Sequence, residues 1–277
     1  MNLGVGIIAF NRPQYLRRLL CSLEMQTDLS ECDFHMFLDG AVNPVSGIRY
    51  ARQKDIDACA RLFERARLPN KHVHIRDVNA NIGIASFDAT ELLTSTYERI
   101  MQMEDDIVLS PDWFKLARIL YGELEEHPDI YSFSPAFKRV HPKREDAQHM
   151  DGVNYAWHHM WVECFTAVRW KRIRPEYLEY HEIISKDDYL ERMDGPVAEL
   201  YVRKGIPPIA CSQDGGRDMA IRLNGMQRVR LDVNRAIGTG QRGMHFHPQL
   251  FHDLGFDTAT PFMFADDATR EGFVWPA

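Results

Sequence analysis

Residues 103–107 read Met-Glu-Asp-Asp-Ile, so three adjacent carboxylates, Glu104, Asp105 and Asp106, stand where an apolar segment ends. Like charges this close repel, and the grouping is costly unless a cation or hydroxyl donors compensate it. A hard divalent ion meets that need, because it takes oxygens from one or two carboxylates and completes its shell with substrate phosphates. On an ordinary turn the same triplet would be a solvated feature that also caps the next helix; at the end of an apolar strand the chemical reading is favoured. The stretch Gly238-Thr239-Gly240-Gln241-Arg242-Gly243 lacks helical spacing and reads as a mobile loop. Beyond it, His245 and His247 fall on one face of an extended segment. Trp157, His158, His159 and Trp161 lie in an aromatic-rich segment whose rings suit either a sugar or the core. Asp187 and Asp188, in a charged stretch with no apolar strand before them, read as solvated surface.

The elements that must position these residues alternate strand and helix. Residues 3–10 form a continuous apolar run, the pattern of a strand covered on both faces. Asn11-Arg12-Pro13 stops it and opens a helix, with Asn11 as the expected N-cap and Tyr15, Leu16, Leu19, Leu20 and Leu23 at helical spacing. Further strands are expected at 34–38, ending in Asp39-Gly40, and at 72–76, 99–103 and 131–135. Helices are expected at 48–66, from the break at Asn81-Ile82-Gly83 through Leu92 and Leu93, and from Ser110-Pro111-Asp112, with Ser110 as cap. This order implies an α/β fold with a mostly parallel central sheet flanked by helices. Such sheets bind ligands at the carboxyl ends of their strands, which singles out Arg12, Asp39, Asn81 and the triplet. No linker or repeat divides the chain, so residues 1–277 read as a single domain, with 138–152 an exposed polar loop.

The 277 residues are 45% hydrophobic and 26% charged, the balance of a globular protein and not of a disordered or fibrous one. With 33 basic against 40 acidic residues the net charge is −7, which argues against nucleic acid as a partner. No apolar run approaches the roughly 20 residues of a transmembrane segment, and no signal peptide opens the chain. A cytoplasmic protein is expected. The five cysteines are scattered and odd in number, hence reduced thiols with neither a disulfide framework nor a zinc site.

Residues 5–20, with Ile-Ile-Ala-Phe-Asn-Arg-Pro at 7–13, resemble the opening strand and helix of nucleotide-sugar glycosyltransferases of the GT-A fold. Phe37-Leu38-Asp39-Gly40 resembles their second strand. Residues 103–114, Met-Glu-Asp-Asp-Ile-Val-Leu-Ser-Pro-Asp-Trp-Phe, are similar to the acidic segment of the N-acetylglucosaminyltransferase I family, and residues 235–251 to its glycine-rich stretch. The resemblance implies Asp106 as ligand of Mn²⁺ or Mg²⁺, Asp105 as ribose contact and Glu104 as sugar contact. It also implies Asp39 at the uracil or its ribose, Arg12 at the nucleotide, and Arg242 near the diphosphate in a lid over the donor. His245 or His247 would complete the metal shell, as a C-terminal histidine does in many GT-A enzymes. Residues 1–135 would then be the nucleotide-sugar half and 136–277 the acceptor half.

Residues 209–217, Ile-Ala-Cys-Ser-Gln-Asp-Gly-Gly-Arg, resemble the segment that carries the family's catalytic aspartate, with Asp214 at that position and Arg217 at its arginine. Both tryptophans of the pattern are missing and two glycines take their place. Asp214 starts an expected helix and suits a base that deprotonates an acceptor hydroxyl. Asp218 is its rival, and an N-cap role for Asp214 is compatible with catalysis.

The function implied is a metal-dependent inverting transfer of a sugar, GlcNAc foremost, from a UDP-sugar to a hydroxyl of a glycan or glycoconjugate. A bacterial-type enzyme is expected, cytoplasmic or peripheral at the inner membrane. Two alternatives compete. A sugar-nucleotide pyrophosphorylase would carry a glycine-rich phosphate loop after the first strand, which Asn11-Arg12-Pro13 lacks. A non-catalytic sugar-nucleotide or glycan-binding module would not need the full triplet together with Asp214.

Overall fold

The computed structural model describes residues 2–135, 144–147, 150, 152–156, 161–207, 209–243 and 247–276. In chain order the elements are β1 (Leu3–Ala9), α1 (Pro13–Glu24), β2 (Cys32–Leu38), α2 (Gln53–Arg65), β3 (Lys71–Ile75), α3 (Asn81–Thr96), β4 (Arg99–Glu104), β5 (Ile107–Leu109) and α4 (Trp113–Glu123). They continue with β6 (Ile130–Ser134), α5 (Arg144–Ala147), β7 (Val153–Ala156), β8 (Val162–Thr166), α6 (Ala167–Ile184), α7 (Gly195–Arg203), α8 (Gln213–Leu223), β9 (Gln227–Leu231), β10 (Ala236–Gly238) and α9 (Pro248–Asp253).

Eight strands form one sheet in the order β3-β2-β1-β4-β8-β6-β9-β7, and β10 pairs with β5 in a small second sheet. The run β3-β2-β1-β4 is parallel, as is β6 with β9. β8 is antiparallel to both β4 and β6, and β7 to β9. The sheet is therefore mostly parallel in the first half of the chain and mixed beyond β4.

Helices cover both faces, so every residue of β1 is buried. One core lies between the sheet and α1, α2 and α4, around Leu16, Leu20, Phe63, Trp113 and Leu120. The other gathers Leu93, Phe165, Trp170, Tyr177, Tyr180 and Met219 from α3, β8, α6 and α8.

The strand and helix order expected for the first half is observed, with shifted ends. Arg12, not Asn11, precedes the first turn of α1, because Tyr15 and Leu16 donate to its carbonyl, while Asn11 Nδ2 reaches Tyr50 O. α2 begins at Gln53. The residues before it are held in a loop by Asn43, whose Oδ1 accepts from the Val45 and Ser46 N–H groups. α4 begins at Trp113, since the Ser110 carbonyl is drawn to Gln26 Nε2 at 2.7 Å and Ser110 itself is buried. Most of the polar loop expected at 138–152 lies outside the described residues.

Candidate active site

β4 runs parallel to β1 with Ile8 opposite Glu104, so the acidic triplet emerges beside the Asn11-Arg12 turn. β5 then pairs with β10, Ile107 opposite Gly238. That pairing lays the glycine-rich stretch directly on the acidic turn. The Thr239 N–H and Oγ1 both donate to Asp106 O, at 2.6 and 3.1 Å. A Cβ on Gly240 would overlap the Asp106 carboxylate. Glycine is thus required here by close approach alone.

Arg12 bridges the two aspartates. Its Nη2 donates to Asp105 Oδ1 and its Nη1 lies 2.8 Å from Asp106 Oδ2, with the guanidinium 5.4 Å from the Tyr15 ring centroid. Burial works against the Arg12 charge, but Asp105 and Asp106 outweigh it and hold the group ionised above its ordinary range. Asp105 is 1% exposed, and its burial pushes its carboxyl up to about 6 despite Arg12. Glu104 is driven well above the usual carboxylate range by burial, then by the charges of Asp106 and Asp214. Asp105 Oδ2 and Asp106 Oδ1 are buried and accept no hydrogen bond among the described residues. Among the described residues no three His, Cys, Asp or Glu side chains converge to cage a metal.

Beside the triplet opens a small cleft, lined on its polar side by Ser86, Gln102, Glu104, Glu163, Gln213, Asp214 and Arg217, with Trp161 and Ile82 at its apolar wall. Asp214 enters from the first turn of α8, where a carboxylate is favoured by the helix dipole. Ser212, not Asp214, is the N-cap, its side chain accepting from the Gly215 N–H. The two glycines that depart from the family pattern have a steric reason: a Cβ on Gly215 would overlap Ala210 O, and one on Gly216 the Tyr180 ring. The structure separates the two rival aspartates by position. Asp218 is 3% exposed and ion-paired with Arg228 beneath the cleft, whereas Asp214 lines it.

Arg217 is buried as well. It donates to Glu163 Oε2 at 2.5 Å and to Thr90 Oγ1 at 3.1 Å, and the Phe165, Trp170 and Tyr177 rings surround it. Glu163 Oε1 accepts from Arg228 Nε at 2.8 Å and Ser132 Oγ at 3.0 Å. Glu163 was missed in the sequence. Its signal was a lone charge inside the otherwise uncharged strand β8.

Asp39 does not meet the triplet. Its oxygens accept from the backbone N–H groups of Ala80 and Asn81, at 2.7 to 3.0 Å, and fasten the start of α3 to the end of β2. Burial raises its carboxyl above the ordinary range, against those bonds. Asp188 corrects the expectation of a solvated pair: Asp187 is exposed but Asp188 is 3% exposed. It accepts from Ser46 Oγ, from Tyr50 Oη at 2.8 Å and from Asn81 Nδ2 at 2.9 Å. These side-chain partners come from more than a hundred residues away, so local sequence carried no sign of its burial.

Arg242 donates its backbone N–H to Tyr15 Oη at 3.2 Å and its side chain is exposed. His247 is exposed and caps α9, its Nδ1 accepting from Leu250 N–H. His245, like Trp157, His158 and His159, lies outside the described residues.

No protein-family description and no curated protein matches the chain. Among solved structures it is similar to S. aureus TarS, at 14% identity and a TM-score of 0.49 over 92% of this chain and 38% of that one. It is likewise similar to S. aureus TarS 1–349 in complex with UDP-GlcNAc, at 15% identity and a TM-score of 0.48 over 92% of this chain and 64% of that one. A third similarity is to the galactosyltransferase LgtC in complex with donor and acceptor sugar analogs, at 13% identity and a TM-score of 0.42 over 82% and 72% of the chains. The chain spans less than two thirds of the length of these TarS chains.

Proposed function

We propose that the chain is a metal-dependent inverting glycosyltransferase that moves a sugar, GlcNAc foremost, from a UDP-sugar to a hydroxyl of a glycan or glycoconjugate. The observation that carries the reading is a pair of buried oxygens with no partner among the described residues, Asp105 Oδ2 and Asp106 Oδ1, beside a cleft lined by a separate carboxylate, Asp214. Open buried carboxylate oxygens without a protein cage fit Mn²⁺ or Mg²⁺, which is bound by one or two carboxylates and finishes its shell with water and phosphate oxygens.

Asp106 is the proposed metal ligand, with Asp105 and Arg12 at the nucleotide, Glu104 at the sugar and Arg242 at the diphosphate. A metal bound there would supply charge neutralisation for the departing diphosphate. Arg12, now pinned between two aspartates, is a second cation at the same place. Asp214 lies on a different element, across the cleft, where it is suited to take the acceptor proton while that oxygen attacks the anomeric carbon. Gly238 lies in β10 and Thr239 and Gly240 are fastened to Asp106, so the lid expected over 238–247 is proposed only for the residues beyond Gly240, where it would exclude water and suppress hydrolysis.

Calorimetry of UDP binding with and without Mn²⁺ tests the reading. Mn²⁺ is expected to tighten UDP binding in the parent chain by about tenfold or more, equivalent to 1.4 kcal/mol or more, and to have no effect in Asp106→Ala. A Mn²⁺ effect that survives in the variant removes Asp106 from the metal site.

A further inference from the structure

The helix that carries Asp214 is fastened where it starts. The Ala210 carbonyl accepts from Tyr201 Oη at 3.0 Å, and the Cys211 carbonyl from Tyr180 Oη at 3.2 Å and Arg192 Nη2 at 2.9 Å. Tyr189 makes the tie that stands nearest Asp214 in the chain. Its hydroxyl accepts from the Gln213 N–H at 2.9 Å and donates to Gln213 Oε1 at 2.5 Å. The N–H of the first helical residue has no partner within its own helix, so this bond fixes where α8 begins. The Ser212 cap, with Oγ 3.5 Å from the Gly215 nitrogen, is a looser hold. The Tyr189 ring is itself held: the Arg192 guanidinium lies 3.9 Å from its centroid, and a Cβ on Gly83 of α3 would overlap it. Asp188, one residue before, accepts from Ser46, Tyr50 and Asn81, which anchors the same segment in the first half of the chain. Gln213 and Asp214 line the cleft, whereas Tyr189 is buried and is not among its described lining residues.

We propose that Tyr189 is the positioning residue for Asp214: its hydroxyl sets the first turn of α8, and with it the place from which the carboxylate meets the acceptor. The inference rests on the transferase reading, in which Asp214 takes the acceptor proton, and adds to it a residue that acts only through that base. A base must lie within hydrogen-bond reach of the proton it abstracts. A displacement of about 1 Å in a reacting group costs about a hundredfold in rate. A hydroxyl that accepts from the helix backbone and donates to the adjoining side chain holds the turn at two points, which an apolar ring in its place would not.

The test is hydrolysis of labelled UDP-GlcNAc with Mn²⁺, in which water takes the acceptor's place and the same base serves. It is read as kcat and KM for the intact chain, Tyr189→Phe, Asp214→Asn and the double variant. Phenylalanine keeps the ring and removes only the hydroxyl. Tyr189→Phe is expected to lower kcat by about tenfold, with KM for the donor and calorimetric UDP affinity unchanged. In the Asp214→Asn background the same substitution is expected to change kcat by less than about twofold, because no base is left to position. A parent-like kcat in Tyr189→Phe overturns the inference and leaves the transferase reading standing. So does the full loss repeated in the double variant, since Tyr189 would then act by another route. Loss of UDP affinity or of the fold in Tyr189→Phe also overturns it, because the hydroxyl would then support the whole structure and not the base. Parent-like hydrolysis by Asp214→Asn, or no release of UDP by the parent chain, overturns the underlying reading and the inference with it.

Discussion

The two acidic regions of this protein are built on opposite rules. Below the cleft, Glu163, Arg217, Arg228 and Asp218 alternate in sign, and each guanidinium is matched to a carboxylate. At the end of β4, two of the three carboxylates share one arginine, and two buried oxygens accept nothing among the described residues. The first arrangement sets each charge against its opposite and ties β8, α8 and β9 together. The second is short of positive charge and donors, which is what a site awaiting a cationic or hydroxyl-bearing ligand requires. Similar residue types are thus matched in sign in one place and crowded with like charge in the other, according to which partners the fold brings to them.

Catalysis offers the sharpest way to break this contrast. Asp214→Asn is expected to lower sugar transfer by about 10²–10⁴-fold, as removal of a general base does, while UDP affinity measured by calorimetry stays unchanged. A variant that transfers normally would return Asp214 to a structural role. Stability should separate the regions next. Glu163→Ala strands Arg217 and Arg228 in the interior and is expected to cost about 3–5 kcal/mol in denaturant unfolding. Asp106→Ala relieves repulsion and is expected to cost less than about 1 kcal/mol. Comparable losses from the two substitutions would erase the distinction.

A third, remote cluster supplies a control on pH. His35 Nδ1 meets His74 Nε2 at 3.0 Å and its Nε2 meets Tyr97 Oη at 2.8 Å, so it too is fully partnered. Burial, then the neighbouring charges of His72 and His74, pushes His35 down to about 4 from an ordinary 6.5. The unfolded chain takes up this proton near 6.5 and the folded chain only near 4. Stability is therefore full above 6.5 and falls as the pH drops from 6.5 to 4. The loss is expected to be on the order of 1–3 kcal/mol. His35→Gln should flatten the profile of unfolding midpoint against pH in that window, with no change in UDP affinity. The smallest expected effect belongs to Arg12. Replacing its charge in Arg12→Met frees one oxygen on each of Asp105 and Asp106. Mn²⁺ binding without nucleotide, followed by paramagnetic resonance of the free ion, should tighten by about threefold to tenfold. Weaker binding would show that Arg12 does not compete for those oxygens.

Much of the first half was legible from spacing. The apolar run of β1, the i, i+3 and i+4 repeat of α1, and the triplet closing β4 are short-range patterns that read directly as strand, helix and strand end. Asp214 at the opening of α8 was legible for the same reason. Helix starts were less so, because Ser110 is captured by Gln26 and Asn11 by Tyr50, partners from other elements.

By itself the sequence determined the alternating elements, the carboxylates at a strand end and the glycines beside Arg242, since each depends on neighbours a few residues apart. Tertiary structure alone decided that β8 lies between β4 and β6, that Asp188 is buried, and that Arg217 is saturated by Glu163 while Asp214 faces the cleft. It also decided that Gly240 must be a glycine, because Asp106 fills the space where a side chain would stand. The physical reason is common to all four. Whether a polar group is solvated, satisfied or left open depends on what the folded chain brings to within about 3 Å of it, and those partners lie tens to more than a hundred residues away.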